Sequence, residues 1–592
     1  MANKSSAIAS SPPQEQTKKR RRTPSSSASG RKKTAKSSST TSSSSTPPTG
    51  KKANQSMPSP TKILIIDNGG DTLKYGWAST TGEASNKSPS AIPNITARLK
   101  HQWSILVGDE LSRVQNPNSL YGITRSTERG VIVDLGNQTQ VWKRLLDQVG
   151  VVVPQNTEAS QVLGWGKVGS RAAAAKKLSA SPGIPAHTVA VLLLLPPLCP
   201  RLLLDQIMFV WMEDFGVGSV GFANSSTCAT EEHPSLHCSC VVDLGWSATN
   251  IIPTYKKKPI APEKSIRRVP IGGRHMVNML KYYMSYRQYN LMDQEGIMKN
   301  VFESLSYLSL DFANELGLAR HLPLGLRPYD REFILPDYQN TFQGHSRLPL
   351  IMQRKQAIMQ QQKGKEQQLS GDHGNIDSHS DEEDSYNDGG KNEDPMNKDD
   401  EGNGNDGNDG QEKDDEESDN SEDEESPEER RKRILMQREK ERQRLQELSE
   451  EEQVLSVSLE RFTVPEVLFR PFDAGLLPEV VGISRAICQT IQATPEPYRP
   501  ALYQNIYVTG GLSQLKNFQI RLEEELRTLI PTDFKLNVQM SSTPIHQAWL
   551  GAHEWVRKTP HTQWSVSRDE WMACSKRKAY TRLLVSNGGW FV

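Results

Sequence analysis

One theme is written twice in this chain. Ile63-Leu64-Ile65-Ile66 reads as a buried strand that ends in Asp67, turns through Asn68-Gly69-Gly70-Asp71 and returns through Thr72-Leu73-Lys74-Tyr75-Gly76-Trp77. Far downstream, Cys240-Val241-Val242 runs into Asp243, turns through Leu244-Gly245-Trp246 and returns through Thr249-Asn250-Ile251-Ile252-Pro253. Either stretch alone is an ordinary turn rich in Asp and Gly. Two of them, at a distance, predict a duplicated α/β fold whose halves close on one phosphate group. Gly69 and Gly70 carry no Cβ, so the backbone can approach an anion closely, and the free amides of such a turn can cradle phosphate. Asp67, at the strand end, is placed to hold a magnesium ion through water, because that ion keeps most of its waters. Lys74, on the returning strand, can reach a phosphate as a point charge.

A chain of 592 residues exceeds one hydrophobic core. Its net charge of +1 hides a basic N-terminus and an intensely acidic stretch past residue 370. Apolar residues reach only 35%, because those two segments have little to bury. The 6 cysteines (Cys199, Cys228, Cys238, Cys240, Cys488 and Cys574) are too few for a disulfide scaffold and indicate a reducing compartment. Cys238 and Cys240, near His233 and His237, invite a zinc site. However, Cys-Ser-Cys leads straight into Val241-Val242-Asp243, which favours buried strand cysteines. The N-terminus lacks the apolar core of a secretory signal. The most apolar run, 189–204, is broken by Pro196, Pro197 and Pro200 and falls short of the roughly 20 residues a membrane helix needs. It reads as a strand, a proline turn and a helix start, and no membrane partner is expected.

Four segments follow. Residues 1–60 form a basic Ser/Thr-rich tail, expected to be disordered. Its clusters Lys18-Lys19-Arg20-Arg21-Arg22 and Arg31-Lys32-Lys33 fit nuclear import or contact with nucleic acid. Residues 61–350 carry the first part of the globular fold. Here Glu128 to Asp134 lead into a helix through Val141-Trp142 and Leu145-Leu146, and 154–187 read as a loop. Val269-Pro270-Ile271-Gly272-Gly273 is a glycine turn before a helix, and 295–312 read as one amphipathic helix. Residues 351–454 are a low-complexity insertion: Gln-rich, then densely acidic from Asp372 to Glu429, then a charged helix opening at Arg430-Arg431-Lys432-Arg433. The acidic run can bind basic partners such as histone tails or simply stay solvated. Residues 455–592 complete the fold. There Asn505-Ile506-Tyr507-Val508-Thr509 is a strand into Gly510-Gly511, over which a nucleotide's sugar or phosphate can pass. The helix carrying Ala548-Trp549-Leu550-Gly551-Ala552 reads as the last one, and the tail with Lys576-Arg577-Lys578 has no clear motif.

Taken in order, these motifs resemble the actin family. Asp67-Asn68-Gly69 with Lys74 is similar to its first phosphate loop, Asp243-Leu244-Gly245 to the second, and Thr509-Gly510-Gly511 to its adenosine motif. Glu460-Arg461-Phe462, Pro465-Glu466 and Leu468-Phe469 are similar to a stretch typical of actins and their relatives, as is 305–312 ending in Leu310-Asp311-Phe312. The resemblance covers nearly all of 61–350 and 455–592. It implies the actin/Hsp70/hexokinase fold of two related halves around a nucleotide cleft. It also implies ATP or ADP with magnesium as cofactor, held by Asp67, Asn68, Gly69, Gly70, Lys74, Asp243, Gly245, Gly273, Glu303, Gly510 and Gly511. Ser285-Tyr286-Arg287-Gln288, Met292-Asp293, Val464-Pro465-Glu466 and Pro531-Thr532-Asp533 look like one nuclear branch of that family. That branch implies a structural subunit of a Swr-type complex that exchanges histones. Its implied partners are a chromatin-remodelling ATPase, a small zinc-finger subunit and nucleosomes or histones. Its address is the nucleus, with the cytoplasm as a second one.

Departures from the family bear on catalysis. Where actins carry a further acidic residue in the second loop, this chain has Trp246, followed by Ser247 in place of glycine. Asn250 occupies the loop's late histidine position, and Ser225 aligns with the glutamine that orients the attacking water. Near the adenine, Glu303 matches, Lys299 replaces an arginine and Phe302 a lysine. Loss of such polar groups costs orders of magnitude in rate. The expectation is a pseudo-ATPase with nucleotide binding possible and hydrolysis very slow or absent. The competing expectations are a cytoskeletal actin relative and a weak ATPase of the same superfamily.

Overall fold

In a computed structural model of the chain, the two hairpins nucleate two sheets of matching design. The structure describes residues 62–573, apart from 79–87, 101–103, 115–118, 155–182, 371–427, 429–430, 434, 437–438, 441–452 and 477. The basic tail, most of the 154–187 loop, nearly all of the acidic run and the Lys576-Arg577-Lys578 patch therefore lie outside the described residues.

In the first sheet, Lys62–Asn68 pairs antiparallel with Thr72–Trp77 and parallel with Val189–Leu195. Ser90–Pro93 extends it on the hairpin side and Ser219–Asn224 on the other. In the second sheet, Cys238–Leu244 pairs antiparallel with Thr249–Tyr255 and parallel with Ile506–Thr509. Arg267–Val269 lies beyond the hairpin and Val538–Met540 beyond the parallel strand. The strand order of one half thus repeats in the other, and the duplication read from two hairpins extends to five strands each.

Alternation along the strands explains how each sheet is covered on both faces. Leu64, Ile66, Val191 and Leu193 pack into one core with Trp142 and Trp211. Ile65, Ala190, Leu192 and Leu194, pointing the other way, meet Trp549 and Trp564. This is why 189–195 is apolar at every position: a parallel strand buried on two faces has no polar side. Cys240 is buried in the core of the second half, where burial pushes its thiol well above the usual range. His233, nearby in sequence, meets the Tyr507 hydroxyl at 3.2 Å. Among the described residues no three His, Cys, Asp or Glu side chains gather to hold a metal, and no helix is long and apolar enough to cross a membrane.

Two expectations are corrected. Residues 295–312 are not one helix: Glu295–Leu305 ends, and Phe312–His321 begins anew. Between them the amides of Tyr307 and Leu308 donate to the carbonyls of Arg461 and Lys516, both at 3.0 Å, and Asp311 caps the next helix through the Asn314 amide at 3.1 Å. The stretch between the first hairpin and Glu128 also carries strands. Ile95–Leu99, Ile105–Val107 and Leu120–Arg125 form a small outer sheet there. Finally, the helix Gln547–Lys558 is not the last: Ser565–Ser567 follows as an edge strand on the first sheet, then a helix Arg568–Ala573.

The insertion leaves and re-enters one small sheet. Its central strand Arg331–Ile334 is flanked by His345–Arg347 and Val454–Val457, so the long segment joins two strands two spacings apart, about 10 Å. A long loop between near ends adds little closure entropy. The insertion also begins as a helix, Leu350–Ser370, where low complexity alone was expected.

Candidate functional site

The two hairpin turns face each other across a cleft of about 730 Å³. That volume lies in the usual range for small-molecule sites. All eleven residues singled out in the sequence line this cleft: Asp67, Asn68, Gly69, Gly70, Lys74, Asp243, Gly245, Gly273, Glu303, Gly510 and Gly511.

The first turn is tightly held. Gly69 has its amide on the Asp67 carbonyl at 3.0 Å, and a Cβ there would lie 2.5 Å from the Thr72 carbonyl oxygen. Asn94 donates to the Gly69 carbonyl at 3.0 Å and to Gln138 Oε1 at 3.1 Å. Lys74 Nζ stands 3.4 Å from Asp67 Oδ2, so the cation is already anchored on the carboxylate beneath the turn. Asn68 has a different part from the one expected of a ligand. Its side-chain oxygen accepts from the buried Trp142 indole at 2.9 Å, which ties the end of the strand to the first core.

The second turn mirrors this arrangement. Asp243 accepts from the Ser226 hydroxyl at 2.9 Å. Burial pushes its carboxyl up to about 6; Asp67 raises it further, while Ser226 and Lys74 pull it down. Gly510 sits at φ +95°, and a Cβ there would lie 2.4 Å from the Leu244 carbonyl oxygen, so only glycine fits against the second hairpin. Gly511 faces open space. Asn250 Oδ1 accepts from Arg268 Nε at 3.3 Å, and the same guanidinium reaches the Pro197 backbone carbonyl of the first half.

The Trp246 side chain has no oxygen to offer the cleft. Its ring packs on Gly273, where a Cβ would lie 2.6 Å from the indole. Arg125 and Lys299 stand 5.1 and 5.3 Å from its ring centroid. Both cations also bind Asp71, at 3.1 and 2.6 Å. Asp71 and Arg125 were not foreseen as site residues, because nothing in the sequence joins positions so far apart. Lys299 was expected beside the adenine, and it turns instead toward the first loop.

The arrangement fits the polyphosphate end of a nucleotide. Two glycine turns, Lys74 and the two carboxylates Asp67 and Asp243 converge, and Gly511 leaves room. Trp246 stands among the loops at the position where the resemblance implies a further carboxylate.

Comparison with known proteins shows the family of the fold. The family model described as Actin matches residues 59–577. The actin-like protein arp6 of Aspergillus fumigatus is 28% identical over 525 residues, covering 83% of this chain and 88% of the relative. The actin-related protein 6 of Oryza sativa subsp. indica is 26% identical over 537 residues, 88% and 99% of the two chains. That of Drosophila melanogaster is 20% identical over 520 residues, 86% and 96%.

Proposed function

Because the chain belongs to the actin family and is of the actin-related protein 6 type, we propose that it is a non-catalytic nuclear scaffold of a Swr-type chromatin-remodelling complex. That complex exchanges histones for an H2A variant in nucleosomes. The chain's partners there are the remodelling ATPase, a small zinc-finger subunit and the nucleosome. The observation that carries the non-catalytic part is Trp246. An indole packed on Gly273 and flanked by two cations neither orders a metal's waters nor positions an attacking one. Ser225, at the cleft wall, is too short to take over that work.

Nucleotide binding is compatible with this reading. Asp67, Lys74, Gly69, Gly70, Gly245, Gly510 and Gly511 would hold ATP or ADP, with magnesium reached through water by Asp67. When bound, the nucleotide supplies a charged cross-link between the two loops. The insertion, seated on an outer sheet of the second half, supports a protein that does not polymerise. The basic clusters of the N-terminal tail support a nuclear address.

The test is affinity purification of the tagged full-length protein from nuclear extract, with companions identified by mass spectrometry. Recovery with a Swr-type ATPase and nucleosome-binding subunits is expected. Recovery alone or with cytoskeletal proteins overturns the scaffold reading. ATP turnover by the purified protein at a rate comparable to actin filaments overturns the non-catalytic one.

A further inference from the structure

Five side chains from both halves meet at the mouth of the cleft. Asp71 comes from the first turn and Arg125 from the end of the outer strand Leu120–Arg125, both in the first half. Trp246 comes from the second turn, and Glu295 and Lys299 from the helix Glu295–Leu305, all in the second half. Two ion pairs among them cross from one half to the other. Lys299 Nζ reaches Asp71 Oδ2 at 2.6 Å, and Arg125 Nη2 reaches Glu295 Oε1 at 2.7 Å. Arg125 Nη1 stays on its own half, 3.1 Å from Asp71, and so shares that carboxylate with Lys299. Both cations also flank the Trp246 ring, whose Nε1 is buried and makes no hydrogen bond. The indole is therefore held by its ring face and by packing on Gly273.

We propose that this cluster is a latch that keeps the two halves closed by protein contacts alone, without help from a nucleotide. Two features make it effective. The Arg125 side chain is only 7% exposed, so its charge is poorly screened by water or salt. A carboxylate shared by two cations, one from each half, gains nothing unless both halves are in place, which couples the links. Close backbone approach completes the closure. The Gly130 amide donates to Ser247 Oγ at 3.1 Å, and a Cβ on Gly70 would lie 2.9 Å from that same oxygen. A latched cleft gives a docking subunit a fixed shape whatever the nucleotide concentration. The latch is a property of the isolated chain and stands apart from membership in any complex.

Amide hydrogen exchange on the full-length protein, stripped of nucleotide with EDTA and apyrase, tests this. In the wild type, the segment 127–132, whose Gly130 amide donates across the cleft to Ser247 Oγ, is expected to stay protected after stripping. In stripped Trp246→Ala, exchange there should rise on the order of tenfold or more, because opening no longer breaks the contacts of Arg125 and Lys299 with the indole. If that variant does not fold, Asp71→Asn is measured instead. It keeps the side chain's shape, removes the shared charge and should loosen the same segment to a lesser degree. A wild-type segment that exchanges as fast after stripping as that of the variants overturns the latch. So does a variant segment that stays as protected as the wild type's.

Discussion

Asp243→Asn should make this protein more stable at neutral pH, although it removes one of the two carboxylates on the cleft floor. The wild-type carboxyl is pushed from 3.8 to about 6, mainly by burial. That shift of about two units corresponds to roughly 3 kcal/mol, at about 1.4 kcal/mol per unit. The sign is fixed by linkage. The folded value lies above the unfolded one, so the native state holds more protons between about pH 4 and 6. Stability falls as pH rises through that window and levels off above it. Asparagine keeps the shape and can still accept from Ser226 at 2.9 Å, yet it carries no charge to desolvate. The expected gain at pH 7.5 in EDTA is on the order of 3 kcal/mol, or about 4 °C in Tm for a body of this size. At pH 5 the wild-type group is largely protonated when folded and the gap should shrink to about half. Thermal melts of both proteins at the two pH values measure it. A variant that melts at or below the wild type at pH 7.5, or a gap that does not change with pH, would refute a desolvated, charge-strained Asp243.

Three further substitutions or deletions probe the frame of the cleft. Gly510→Val should destabilise the fold by at least about 2 kcal/mol, since φ is +95° and a Cβ would lie 2.4 Å from the Leu244 carbonyl oxygen; a melt like the wild type's contradicts this. Arg521→Met leaves the buried Glu466 carboxylate, whose Oε1 the guanidinium meets at 2.9 Å, with only the half-exposed Arg470 at 3.5 Å, and should cost about 3 kcal/mol in urea unfolding. Adding Glu466→Gln should recover much of that loss, and no recovery would mean the cost lies in packing. Excising residues 372–427 should leave the melting midpoint unchanged, because both strands at the edges of the insertion stay paired with Arg331–Ile334; a lowered midpoint or aggregation argues against an independent insertion.

The sequence reveals most clearly what is local and apolar. Ile63 to Ile66 and Val241-Val242 are short β-branched or aliphatic runs that stop at Asp and Gly, so strand, turn and return could each be read in place. The cleft-lining glycines were legible for the same reason, as they follow directly on predicted strands. The break at 306–311 was not, because Leu305, Leu308 and Phe312 keep helical spacing while the bonds that end the helix come from Arg461 and Lys516. Only Asp311, a good cap, carried a local signal. The cluster of Asp71, Arg125, Glu295 and Lys299 was invisible because ion pairs between distant segments leave no periodicity behind. Trp246 was noticed as a departure, but not as a residue gripped by two cations. The edge strand Ser565–Ser567 is three residues of mixed polarity, too short for any pattern to rise above its surroundings.

That last strand has a consequence for how the protein is made. The first sheet begins at Lys62 and is finished by Ser565–Ser567, about 500 residues later, while the Trp549 indole must also reach back to the Ile65 carbonyl at 3.2 Å. At synthesis rates of about 5–20 residues per second, the first hairpin waits roughly 25–100 s on the ribosome before its sheet can be completed. One face of Lys62–Asn68, built to lie under Trp549, stays bare for that whole interval. The first half therefore cannot be completed before the second during translation. It must be sheltered until the helix Gln547–Lys558 emerges, and a nonsense mutation anywhere before Trp549 leaves one face of its central strand without a cover.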